Sequence, residues 1–120
     1  MSATHAPALH AIARDLLVLL DEHQPQVARM VATWPDPQAY GAVAAQLDQM
    51  RMLSAELFGM NTAWAELLIA HAELVQVLWR LPAGDPADAK ALAKASERHA
   101  HAADALRMRV LWWIPGPTPA

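Results

Sequence analysis

The 120-residue chain contains no cysteine, which excludes disulfides, thiolate metal sites, cysteine nucleophiles and covalent c-type haem attachment together. Charge is scarce as well. Charged residues make up 18% of the chain against roughly 25% in an average soluble domain, so the surface is expected to favour a partner or a second copy of itself. The net charge is only −3, and the basic residues are scattered rather than gathered into the dense footprint that phosphate backbones need, which argues against nucleic acid. Glycine-rich phosphate loops are missing, and Ser2, Ser54 and Ser96 lie in no elbow or triad spacing, so no reaction is legible and an enzyme is not expected. The apolar run Leu16-Leu17-Val18-Leu19-Leu20 is far shorter than the roughly 20 residues that span a bilayer. Residues 1–15 lack the basic start and apolar core of a secretion signal, and the expectation is a soluble, cytoplasmic chain.

What the chain does carry is helical periodicity. Leu9, Ala13, Leu16, Leu20, His23, Val27, Met30 and Trp34 recur at spacings of four and three, which predicts one long helix with a kink or short break at Pro25. The Pro7 region should start it, with Thr4 or His5 as the cap. Trp34-Pro35-Asp36-Pro37 reads as a turn, with Asp36 capping a second helix that has Pro37 at its first position and Tyr40, Val43, Leu47, Met50, Ser54 and Leu57 in the core. Gly59 suits the end of that helix, and Asn61 is placed to cap a third, Asn61 to Leu81, with Trp64, Leu68, His71, Val75 and Leu78 as its apolar seam. Asp85 and Pro86 repeat the Asp-Pro start for a fourth helix, which runs to Trp113 or Ile114 along Leu92, Ala95, His99, Ala102, Ala103, Leu106 and Val110. Short connections force antiparallel neighbours, so the predicted fold is all-α: an up-down-up-down antiparallel four-helix bundle. It occupies residues 1–114 as one domain, followed by a Pro-rich, disordered tail at 115–120.

Three of the predicted core positions are histidines. His23 lies 11 residues before Trp34, His71 lies 11 before Pro82, and His99 lies 13 after Pro86. At about 1.5 Å of rise per residue, these are depths of roughly 16 to 20 Å from one end of the bundle, which puts all three in one layer. In the same layer the second helix offers Leu47, Asp48 and Met50. Neutral imidazoles with Asp48 or Met50 nearby form the donor set of a transition-metal site, zinc for example, or of a haem held by two histidines or by His and Met. The plainer account is three core histidines, each hydrogen-bonded to a carbonyl, a hydroxyl or a neighbouring side chain. Di-iron bundles need Glu three residues before His, and no such pair occurs here. Glu97 and Asp104 flank His101 at helical spacing, as do the charges of an ordinary solvated face.

Tryptophan is abundant, five against one Phe and one Tyr, and it gathers toward the bundle ends. Trp34 and Trp79 fall at one end; Trp64, Trp112 and Trp113 fall at the other. Consecutive residues face different directions, so Trp112 and Trp113 cannot both be buried, and one of them is a candidate anchor for another subunit. Leu17 and Val18, inside the apolar run, extend the candidate partner surface. The sequence therefore predicts a small interaction or adaptor protein that self-associates as a homodimer. The alternative is a bundle that binds a metal, a haem or a small apolar ligand in its core.

Overall fold

The computed structural model describes residues 5–81 and 86–115. It holds four helices, α1 (His5–Ala32), α2 (Pro37–Ala55), α3 (Asn61–Arg80) and α4 (Pro86–Leu111), and no strand among the described residues. α1 packs closely on α2, α3 closely on α4, and α4 on α1, whereas α2 and α3 meet only sparsely. The predicted bundle is present as two tight hairpins hinged along α1 and α4. Its α2/α3 side stands open.

Local chemistry sets the helix ends. The Asp36 carboxylate accepts a hydrogen bond from the Gln38 N–H at 3.0 Å, a side-chain cap that satisfies one of the orphan donors at the start of α2. Gly59 takes φ of +85°, a left-handed conformation that side chains with a Cβ resist, and so the chain reverses between α2 and α3. The expected cap at Asn61 is displaced by one residue: Met60 occupies the cap position without a side-chain bond, and Asn61 already belongs to the helix. α1 runs through Pro25 as continuous helix, so no break occurs there. Pro25 is exposed, which leaves water free to satisfy the carbonyl its missing N–H abandons. The expectations for Thr4, Asp85 and the tail beyond Pro115 fall outside the described residues.

The core follows the seams read from α1, α2 and α4. Ala13, Leu16, Leu20, His23, Val27 and Met30 are buried along α1, and Val43, Leu47, Met50 and Ser54 along α2, with Leu57 buried just beyond it. On α4, Ala95, His99, Ala102, Ala103, Leu106 and Val110 are buried, and Trp113 lies against the core beyond its end. Tyr40 departs from the pattern: it is exposed, and Ala39 takes the interior place at the start of α2. The larger correction is on α3. Its buried residues are Ala63, Leu67, Ala70, Leu74 and Leu78, so the helix is turned by about one residue from the predicted seam. Trp64, His71 and Val75 end half-buried and Leu68 exposed. The reason is tertiary: α3 packs most closely on α4 and only sparsely on α2.

Exposed ion pairs join the helices at Arg107–Asp21 and Arg98–Glu73, both at 3.0 Å, where solvent screening leaves each worth little. At one end Trp34 meets Trp79 edge-on, with ring centroids 5.0 Å apart, and also meets Tyr40 at 6.0 Å. These aromatics bridge α2 and α3 where the rest of that seam is open.

Candidate functional site

Each helix contributes one polar side chain near mid-length: His23 from α1, Gln46 from α2, His71 from α3 and His99 from α4. His23 and His99 are essentially inaccessible to solvent, with ring centroids 5.3 Å apart and planes inclined at 37°. The Gln46 side-chain oxygen lies 3.2 Å from His23 Nδ1. An amide oxygen can only accept, so His23 Nδ1–H donates and its Nε2 is left carrying the lone pair. His71 is half-buried with Nδ1 turned inward.

Three nitrogens in this layer, His23 Nε2, His71 Nδ1 and His99 Nε2, are sealed from solvent and have no hydrogen-bond partner. A buried polar atom left unpaired costs about 1–3 kcal/mol, so three together mark the layer as chemically unfinished. Burial disfavours the charged imidazolium, and this is the main reason all three histidines titrate below their ordinary value near 6.5. For His23 the Gln46 hydrogen bond opposes that shift. Charge on His23 deepens the shift of His71. For His99, charges on His23 and then His71 add to burial and push it down to about 4. At neutral pH the layer is a set of uncharged imidazoles.

The histidines thus occupy one layer, as their spacing predicted; of the residues proposed with them, Met50 is in the core as its seam position predicted and Asp48 is not. Asp48 lies on the surface in an ion pair with Arg51 at 2.9 Å, and Met50 is fully buried in the core. Gln46 was not singled out by the sequence, because it sits one position off the seam through Val43 and Leu47. Its depth on α2 was the available signal. Among the described residues, no group of three or more His, Cys, Asp or Glu side chains already stands as a metal-holding set.

His71 also lines an open groove of about 550 Å³ along α3, together with Tyr40, Ile69, Ala72, Glu73, Val75, Gln76 and Trp79. A smaller hollow of about 260 Å³ continues it past Tyr40 and Trp79 to Trp34 and Pro35. Of the predicted partner residues, Val18 and Trp112 are exposed, Leu17 is half-buried, and Trp113 is half-buried against the core. Trp112 is the outward member of the tryptophan pair, at 82% exposure.

Fold and layer together define a four-helix bundle that carries a polar, histidine-rich stratum inside an apolar core. Set beside known proteins, the chain matches no family model, no curated protein and no solved structure. No helix among the described residues is long and apolar enough to cross a membrane.

Proposed function

We propose that the protein is a small interaction module that works by binding, and that it self-associates as a homodimer through the open side of α3. The observation that carries this reading is the composition of α3 set against its exposure. Only Glu66, Glu73 and Arg80 are charged in this 20-residue helix, and its apolar residues cover a wide arc, with Ile69 and Val77 reaching into the polar stripe of Thr62, Glu66, Glu73, Gln76 and Arg80. A helix of that kind belongs in an interior. Yet Leu68, Ile69 and Trp79 are exposed, with Trp79 at 66%. Ala65, Leu68, Ala72, Val75 and Trp79 form a second seam at spacings of three and four, distinct from the buried one. A matching helix from a second copy would cover it, and the groove beside His71 gives that copy room to seat. Val18 on α1 and Trp112 beyond α4 supply further exposed apolar surface for an adaptor role toward a different partner.

Sedimentation velocity across a wide concentration range tests the proposal. The expected result is a monomer–dimer equilibrium that Trp79→Lys and Leu68→Lys shift to monomer while the circular dichroism spectrum stays helical. A chain that remains monomeric at every concentration would overturn it.

A further inference from the structure

We infer that the polar layer is a binding site for a zinc-class divalent metal ion, with His23 and His99 as the resident pair and His71 as a third ligand that turns in from the α2/α3 groove. This goes beyond self-association and rests on separate observations.

The first is the pair itself. Two imidazoles bound through nitrogen to one tetrahedral ion have ring centroids about 5 Å apart, given metal–nitrogen bonds of about 2.0–2.1 Å. His23 and His99 stand at 5.3 Å, and each has a buried Nε2 without a partner. The second is Gln46. By accepting from Nδ1–H it holds His23 in the tautomer whose Nε2 lone pair is available to a metal, as the outer-shell partners of histidine ligands do. The third is His71. Its Nδ1 is a third buried nitrogen without a partner, while the residue as a whole is half-buried and lines the groove. It therefore has an unpartnered nitrogen on the core side, which supplies a lone pair in the Nε2–H tautomer, and space in which to turn.

The open arrangement fits this assignment. No three donors already converge among the described residues, so His71 must move to close the site, and the groove is the side from which an ion would enter. Three neutral nitrogens and no carboxylate form a donor set of borderline softness, suited to zinc, cobalt, nickel or copper rather than to calcium or magnesium. The carboxylate nearest in the groove, Glu73, is held by Arg98 at 3.0 Å, so a hydroxide or small anion from the groove would complete the coordination. A haem fits less well. Its macrocycle would have to slide between two rings that lie 5.3 Å apart in a closely packed core.

The test uses the full chain, stripped with a chelator and titrated with Co²⁺ and then Zn²⁺. Expected are one Co²⁺ per chain, the visible absorption bands of a tetrahedral cobalt ion, and displacement by Zn²⁺. His71→Ala changes a half-exposed position, so it should keep the fold and weaken Co²⁺ binding by roughly a hundredfold or more. Gln46→Leu, which leaves all three histidines in place, should weaken it by about tenfold to a hundredfold. The inference is overturned by the absence of stoichiometric uptake, or by uptake that His71→Ala leaves unchanged. It is equally overturned if uptake disappears in a His10→Ala, His101→Ala double variant, because those residues lie outside the layer.

Discussion

Acid should weaken the metal-free protein through the histidine layer, and the effect of His99 can be worked out. In the unfolded chain it titrates near 6.5; in the folded protein burial, with charge on His23 and His71, lowers it to about 4. Between those values the unfolded state binds more protons, so stability rises with pH across the window and falls as pH drops below 6.5. For a single site with these two constants, moving from pH 7.5 to pH 5 removes about 2 kcal/mol, and the full loss at still lower pH is about 3 kcal/mol. His23 and His71 shift in the same direction and add to the slope. The assay is urea denaturation followed by tryptophan fluorescence at pH 7.5, 6.5, 5.5 and 5.0 with chelator present. His99→Leu should flatten the profile by about 2 kcal/mol between the two ends. A variant with the same pH slope as the parent protein would refute the account, because His99 would then take up its proton as readily in the folded state as in the unfolded one.

The rotation of α3 predicts that Leu74→Ala, at a fully buried site, lowers stability by about 2–5 kcal/mol, while Leu68→Ala costs less than about 1 kcal/mol in the monomer, both read by urea denaturation. Removal of the α2 cap in Asp36→Ala should cost about 1 kcal/mol, whereas Asn61→Ala, which removes no side-chain cap bond, should leave the unfolding midpoint within experimental error. Gly59→Ala meets no neighbouring atom but places a Cβ at φ of +85°, so it should lower stability by about 1–2 kcal/mol through backbone strain alone.

The seams of α1 and α4 were legible because charged residues line the side opposite each seam and fix the phase of the helix, and α2 was read from the spacing of its few large apolar residues, Val43, Leu47, Met50 and Leu57. On α4 the sequence Lys94, Glu97, Arg98, His101 alternates with Ala95, His99 and Ala102, and only one orientation buries the second set. α3 also has a polar stripe, Thr62, Glu66, Glu73, Gln76 and Arg80, but Ile69 interrupts it and the apolar arc opposite is wide enough to admit more than one phase. With Leu67, Leu68, Ile69 and Ala70 consecutive, a rotation by one residue exchanges one apolar side chain for another, so periodicity alone could not choose between them. What chose was tertiary: α4 packs closely on α3 and α2 does not. Tyr40 departs for a different reason, because its ring meets Trp34 at the bundle end rather than entering the core. The depth of the histidine layer was readable since it depends only on helical rise, which is insensitive to rotation. Its hydrogen bonding was not. Gln46 enters the layer from a boundary position, and Asp48, at similar depth, turns outward to Arg51.

Stability alone gives no reason to keep the layer. Three unpaired buried nitrogens cost about 1–3 kcal/mol each, against a total stability of roughly 5–15 kcal/mol for a domain of this kind. Leucine at 23 and 99 would fill comparable volume, and an apolar layer of matched shape removes the unpaired groups rather than creating them. A polar layer that fixes helix register would also be expected to pair its own donors and acceptors, since the pairing is what discriminates one register from another. Here only His23 and Gln46 pair, while His71 and His99 keep nitrogens that no side chain answers. Such a layer is better matched to something that arrives from outside. The route is on the same helix that carries the exposed apolar seam: His71, Ala72, Val75 and Trp79 of α3 line one groove, and the proposed second copy would lie over it. Covering α3 by association would therefore also close the groove over His71, coupling occupancy of the layer to assembly through a single helix.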